Sequence, residues 1–140
     1  MSEIRLEVEG LAVEIGGQTL VRDLGFQLAA GERLAILGRN GAGKTTLLHS
    51  LAGLRAPSTG RIGLCGDALH GLTPNQIAQR RGLLLQHQLD AFPSSVLETA
   101  LIGRHPWLGR WTWERRAAEA MARDALRAMG LESFALPHVH

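Results

Sequence analysis

Apolar and polar positions alternate along the first thirty residues. Ile4, Leu6 and Val8 alternate with polar neighbours, as do Leu11, Val13 and Ile15, and the pattern resumes over 20–28 after Gly16-Gly17. Alternation puts one face of a strand in a core and the other in water, so this region reads as half-buried antiparallel strands with a glycine turn. Ala30-Gly31-Glu32 turns the chain. The period then changes. Residues 34–37 and 82–85 are short continuous apolar runs, the pattern of strands buried on both faces, and predict strands over 33–37 and 82–85. A helix is expected from Lys44 to about Gly53, a loop over 56–60 and a short strand over 60–66. Thr73-Pro74 supplies an N-cap and a first-turn proline for a short helix to about Arg80, carrying Ile77 inward.

The second half reads as helical. Ser95-Val96-Leu97-Glu98 is a capping-box pattern opening a helix that runs to Gly103. Pro106 and Gly109 bar that helix from continuing. Thr112 caps the next one, whose stripe of Ala118, Met121, Ala122, Ala125 and Met129 faces a core, and Gly130 closes it. Arg115, Arg116, Arg123 and Arg127 alternate with Glu114, Glu119 and Asp124, the mark of a solvated, salt-bridged face.

Composition narrows the function classes. A chain of 140 residues suits one domain. Its formal charge is only +2 with scattered arginines, which argues against a nucleic-acid partner, since that would call for a clustered basic stripe. No apolar run approaches a membrane span and no signal-peptide pattern opens the chain, so a cytosolic location is expected. Cys65, the only cysteine, reads as a small buried hydrophobe. His49, His70, His87 and His105 show no ligand-like spacing, and His138 and His140 read as a frayed end.

The chemistry lies at Gly38-Arg39-Asn40-Gly41-Ala42-Gly43-Lys44-Thr45, which fits G-x-x-x-x-G-K-[ST] between an apolar run and a helix. Glycines let successive N–H groups converge on phosphate oxygens, and the helix adds its positive N-terminal end. Lys44 supplies charge for the outer phosphates of a nucleoside triphosphate, and Thr45 a hydroxyl for the magnesium ion that bridges them. Thr46 continues the loop into the helix.

The antiparallel N-terminal region, the loop running on through Thr46-Leu47-Leu48, then Ala52-Gly53-Leu54, Pro57-Ser58-Thr59-Gly60, and Gln86 after an apolar run together resemble the ATP-binding subunit of an ABC transporter. The resemblance covers essentially the whole chain. It implies an α/β fold of the P-loop NTPase class: an ABC-type nucleotide-binding domain with an antiparallel β region over 1–32, a P-loop core over 33–93 and a helical segment over 94–140. It also implies that the domain is truncated, ending before the signature and Walker B motifs, and that this chain alone is inactive as an ATPase. The cofactors implied are ATP and magnesium. Gln86 would be the Q-loop glutamine, touching the magnesium or the attacking water, unless it is simply a surface amide ending a strand. Ile15 takes the place of the aromatic residue that stacks on adenine in the family, and offers apolar contact without a π-face.

The stretch from Leu72 to Gln86, with Val96 to Pro106 after it, is similar to the subgroup importing haem, cobalamin and ferric siderophores. The partners implied are a membrane permease, met through 94–113, and a second ATP-binding subunit, with the protein peripheral on the cytoplasmic face of the inner membrane. Trp107, Trp111 and Trp113 fit either that groove or helix packing. Two other classes remain: a nucleotide-binding or interaction module without turnover, and an ABC-type ATPase outside transport.

Overall fold

In the computed structural model, residues 3–86, 94–107 and 112–134 are described. Strand β1 (Ile4–Ile15) and strand β2 (Gln18–Ala29) form an antiparallel hairpin. Gly16 and Gly17 turn it with φ of 55° and 80°, as a two-residue turn matched to strand twist requires. The change from even-numbered to odd-numbered apolar positions in β1 has a visible cause. Gly10 sits at φ 56°, and the pairing with β2 shifts register between Val8 and Leu11. A bulge of this kind reverses which face each later residue occupies, so Val8, Leu11 and Val13 all become buried.

Strand β3 (Thr59–Leu64) pairs antiparallel with the other edge of β1, and the short β4 (Asp67–Ala68) follows, giving the order β2-β1-β3-β4. A Cβ on Gly60 would lie 2.4 Å from the carbonyl oxygen of Gly10, so the β1–β3 approach there depends on a bare backbone. Helix α1 (Lys44–Leu51) and helix α2 (Pro74–Arg80) bring Leu47 and Ile77 into one cluster with Val8, Leu11, Val13, Ile62 and Leu69. Thr73 caps α2 in a full capping box: its hydroxyl accepts from the Gln76 N–H while the Gln76 side chain accepts from the Thr73 N–H.

Three expectations need correction. Residues 33–37 and 82–85 are not strands; the backbone there is irregular, and Leu37 and Leu84 are each 89% exposed. A run of this type is a strand when neighbours pair with both its edges, and among the described residues no strand lies beside either segment. Ile36 alone of the first run packs on the core cluster. Cys65 is half-buried rather than buried. It occupies the β3–β4 turn at φ 51°, and the Arg5 guanidinium lies 4.0 Å from its Sγ.

The chain divides into two compact units at Leu83/Leu84. In the second, helix α3 (Val96–Ile102) packs against helix α4 (Thr112–Ala128). Ser95 and Glu98 form the expected capping box, and Gly103 is the C-cap. The third correction concerns α4, whose buried positions among the described side chains are Ala118, Ala122 and Leu126, while Met121, Ala125 and Met129 are exposed. One helix packing against another buries a single narrow seam with four-residue spacing, not the wide stripe the composition suggested. Arg123–Glu119 and Arg127–Asp124 pair on the solvated face as expected, and Arg127 also reaches Glu132.

Candidate functional site

Residues 38–46 wrap the N-terminus of α1. Gly43 is the N-cap residue, at φ 85° and ψ 11°, a left-handed conformation that costs an L-residue about 1–2 kcal/mol. Its carbonyl accepts from the Leu47 N–H at 2.9 Å and starts the helix ladder. No side chain caps this helix and its first turn holds no acidic residue. The amides of Lys44, Thr45 and Thr46 are thus at a positive helix end that nothing in the first turn neutralises, the arrangement suited to an anion. Gly41 adds a second left-handed position at φ 80°, and the Ala42 N–H closes a turn onto the Arg39 carbonyl at 3.2 Å.

Lys44 spans the mouth of the loop. Its ammonium donates to the carbonyl oxygens of Gly38 at 2.8 Å and Arg39 at 2.7 Å, two charge-assisted bonds that tie the first glycine to the helix. Gly38, Arg39, Asn40, Gly41, Ala42 and Thr45 are exposed, while Gly43, Lys44 and Thr46 are half-buried. The set fits a polyphosphate with its divalent ion: an uncapped helix end, left-handed glycines, a mobile point charge and an accessible hydroxyl on Thr45. A carboxylate in the same place would be repelled by none of these groups, but it would use only one or two of them.

One positioning residue escaped the sequence. A Cβ on Gly43 would lie 2.7 Å from Leu20 Cδ1, so Leu20 of β2 is pressed against the last glycine of the loop. Alternation marked Leu20 only as an inward residue of a strand, and nothing in its spacing singles out Gly43 as its neighbour.

Ile15, at the end of the hairpin, is 41% exposed and so offers an apolar surface. The hairpin end is anchored: the Glu14 N–H donates to Ser58 Oγ at 3.1 Å, and Arg55 donates to the Glu14 carbonyl at 3.0 Å. Gln86 is exposed and belongs to the second unit. In that unit Ile102 and Trp107 are exposed, and the Arg104 guanidinium stands 5.0 Å from the Trp107 ring centre, within cation–π range. Trp111 and the side chain of Trp113 lie outside the described residues, as do His87, His138 and His140. Among the described residues no helix is long and apolar enough to cross a membrane.

The family model described as ABC transporter matches residues 21–140. The hemin import ATP-binding protein HmuV of Rhodopseudomonas palustris (strain BisB18) is 36% identical over 129 residues, covering 92% of this chain and 46% of its own length. The petrobactin import ATP-binding protein FpuD of Bacillus anthracis is 35% identical over 138 residues, covering 96% and 50%. A solved structure described as a metal-chelate type ABC transporter in an inward-facing conformation superposes with a TM-score of 0.75 at 28% identity, over 96% of this chain and 48% of that one. Cbio1 from Clostridium perfringens, part of the ABC transporter complex cbiONQ, gives 0.74 at 26% identity. The chain spans about half the length of the curated relatives it matches.

Proposed function

The chain belongs to the ABC transporter ATP-binding family, and from that premise we propose that it is the nucleotide-holding portion of an importer's ATPase subunit, binding Mg-ATP to power uptake of a metal chelate. The observation that carries this is Lys44, held across a glycine loop at an uncapped helix end. The Lys44 ammonium would exchange the Gly38 and Arg39 carbonyls for phosphate oxygens, and the first-turn amides of α1 would donate to the same anion. Thr45 would hold the magnesium ion, which when bound neutralises charge on the outer phosphates. Ile15 bears on the base through apolar contact alone.

Two relatives named for hemin and petrobactin import support a metal chelate as cargo. The partners on this reading are a membrane permease and a second ATP-binding subunit, with the protein peripheral on the cytoplasmic face of the inner membrane. The permease meets the 94–113 region, where Ile102 and Trp107 present apolar surface beside the Arg104 cation. Co-purification with the cognate permease tests this. Ile102→Glu and Trp107→Glu should each lower capture at least roughly tenfold, with Mg-ATP affinity unchanged. Normal capture by both variants would place the interface elsewhere.

A further inference from the structure

After α1 the chain turns through Gly53 to reach β3. Between that turn, the start of β3, the 3-10 turn Leu69–Gly71 and α2, the first unit holds an open cavity of about 540 Å³. None of residues 38–46 lines it, so it is separate from the phosphate loop. Its volume falls among those of small-molecule sites, roughly 300–1,000 Å³. Leu54, Pro57, Ile62, Leu69, Leu72 and Ile77 make its wall apolar.

The charged lining has one sign. Arg55, Arg61 and Arg81 contribute to it, with no Asp or Glu among the lining residues. Arg61 pairs with Glu9, while Arg55 and Arg81 each donate to a backbone carbonyl. In Arg81 one terminal nitrogen donates to the Ala52 carbonyl, the Nε is buried without a hydrogen-bond partner, and among the described residues no carboxylate pairs with the guanidinium. Burial holds its pKa below the ordinary arginine value, as expected for a cation only partly solvated. The acceptor that fits a guanidinium fork is a carboxylate.

An arginine without a carboxylate partner in the lining of an apolar pocket specifies a ligand with two ends. We propose that this cavity binds a small amphipathic carboxylate, its head on Arg81 and its apolar body against Leu54, Leu72 and Ile77. The site is independent of nucleotide: the loop at 38–46 lies outside the lining, so occupancy should leave Mg-ATP binding intact.

Calorimetric titration of decanoate into the chain tests the proposal, with decyl maltoside and decyltrimethylammonium as neutral and cationic probes carrying the same tail. Saturable one-to-one binding is expected for decanoate alone. Arg81→Met keeps the apolar stem and removes the cation. Leu54→Glu adds a repelling carboxylate at an exposed wall position and leaves Arg81 in place, so it decides the case even if Arg81→Met fails to fold. Each should weaken decanoate binding at least roughly tenfold while Mg-ATP affinity stays at the wild-type value. Absence of saturable decanoate binding, equal binding of all three tails, or unchanged decanoate affinity in Leu54→Glu would overturn it.

Discussion

Gly43 carries two constraints at once, a left-handed φ of 85° and Leu20 Cδ1 at 2.7 Å from where a Cβ would stand. Gly43→Ala therefore strains the backbone and pushes β2 away from the loop. Mg-ATP affinity should fall at least roughly tenfold, equivalent to about 1.4 kcal/mol. In the Gly43→Ala/Leu20→Ala double variant the contact is relieved and the φ penalty stays, so affinity should recover in part. Calorimetry on the three proteins checks this, and a Gly43→Ala protein with wild-type affinity would remove Leu20 from the site. The loop residues proposed to face phosphate could be singled out because each type is dictated by the ligand's chemistry at fixed spacing. Leu20 could not, because its role is set by which side chain tertiary packing brings to Gly43. Gly10 was equally silent: its bulge is visible only as a change of phase between Val8 and Leu11, which two separate strands would produce as well.

The two capping boxes differ in one respect that pH can read. In α2 the returning side chain is Gln76, which does not titrate; in α3 it is Glu98. Hydrogen bonds from the Ser95 backbone N–H and hydroxyl hold the Glu98 carboxyl below the ordinary carboxylate range. A depressed folded value means the contribution is fully present above the unfolded value, about 4.3, and is lost as pH falls through the lower folded value. Amide shifts of Ser95 and Glu98 should therefore move on acidification below that value while those of Thr73 and Gln76 stay put. Equal movement in both helices would contradict the assignment. The starts of α2 and α3 were legible because capping is local chemistry, whereas Thr112, expected to cap α4, is its first helical residue. The runs at 33–37 and 82–85 were misread because a doubly buried strand is defined by neighbours far away in sequence. In α4 the composition offered more small and apolar residues than one packing partner could cover, so Met121 and Met129 were assigned to a core they do not enter.

At the scale of the molecule, the first unit is a four-stranded antiparallel sheet with two helices, and it holds the phosphate loop complete. The chain superposes on solved ABC transporter structures over 96% of its length. Family membership was legible from the loop and its flanking residues, since they carry the nucleotide chemistry that the family shares. The central claim is that this loop binds Mg-ATP through Lys44. Its most direct test is calorimetric titration of Mg-ATP into the purified chain and its Lys44→Ala variant, with far-UV spectra confirming that both are folded. Saturable binding to the wild-type chain, weakened at least roughly a hundredfold or about 2.7 kcal/mol in Lys44→Ala, is the predicted result. Absent binding to the folded wild-type chain, or equal affinity in the two proteins, would contradict it.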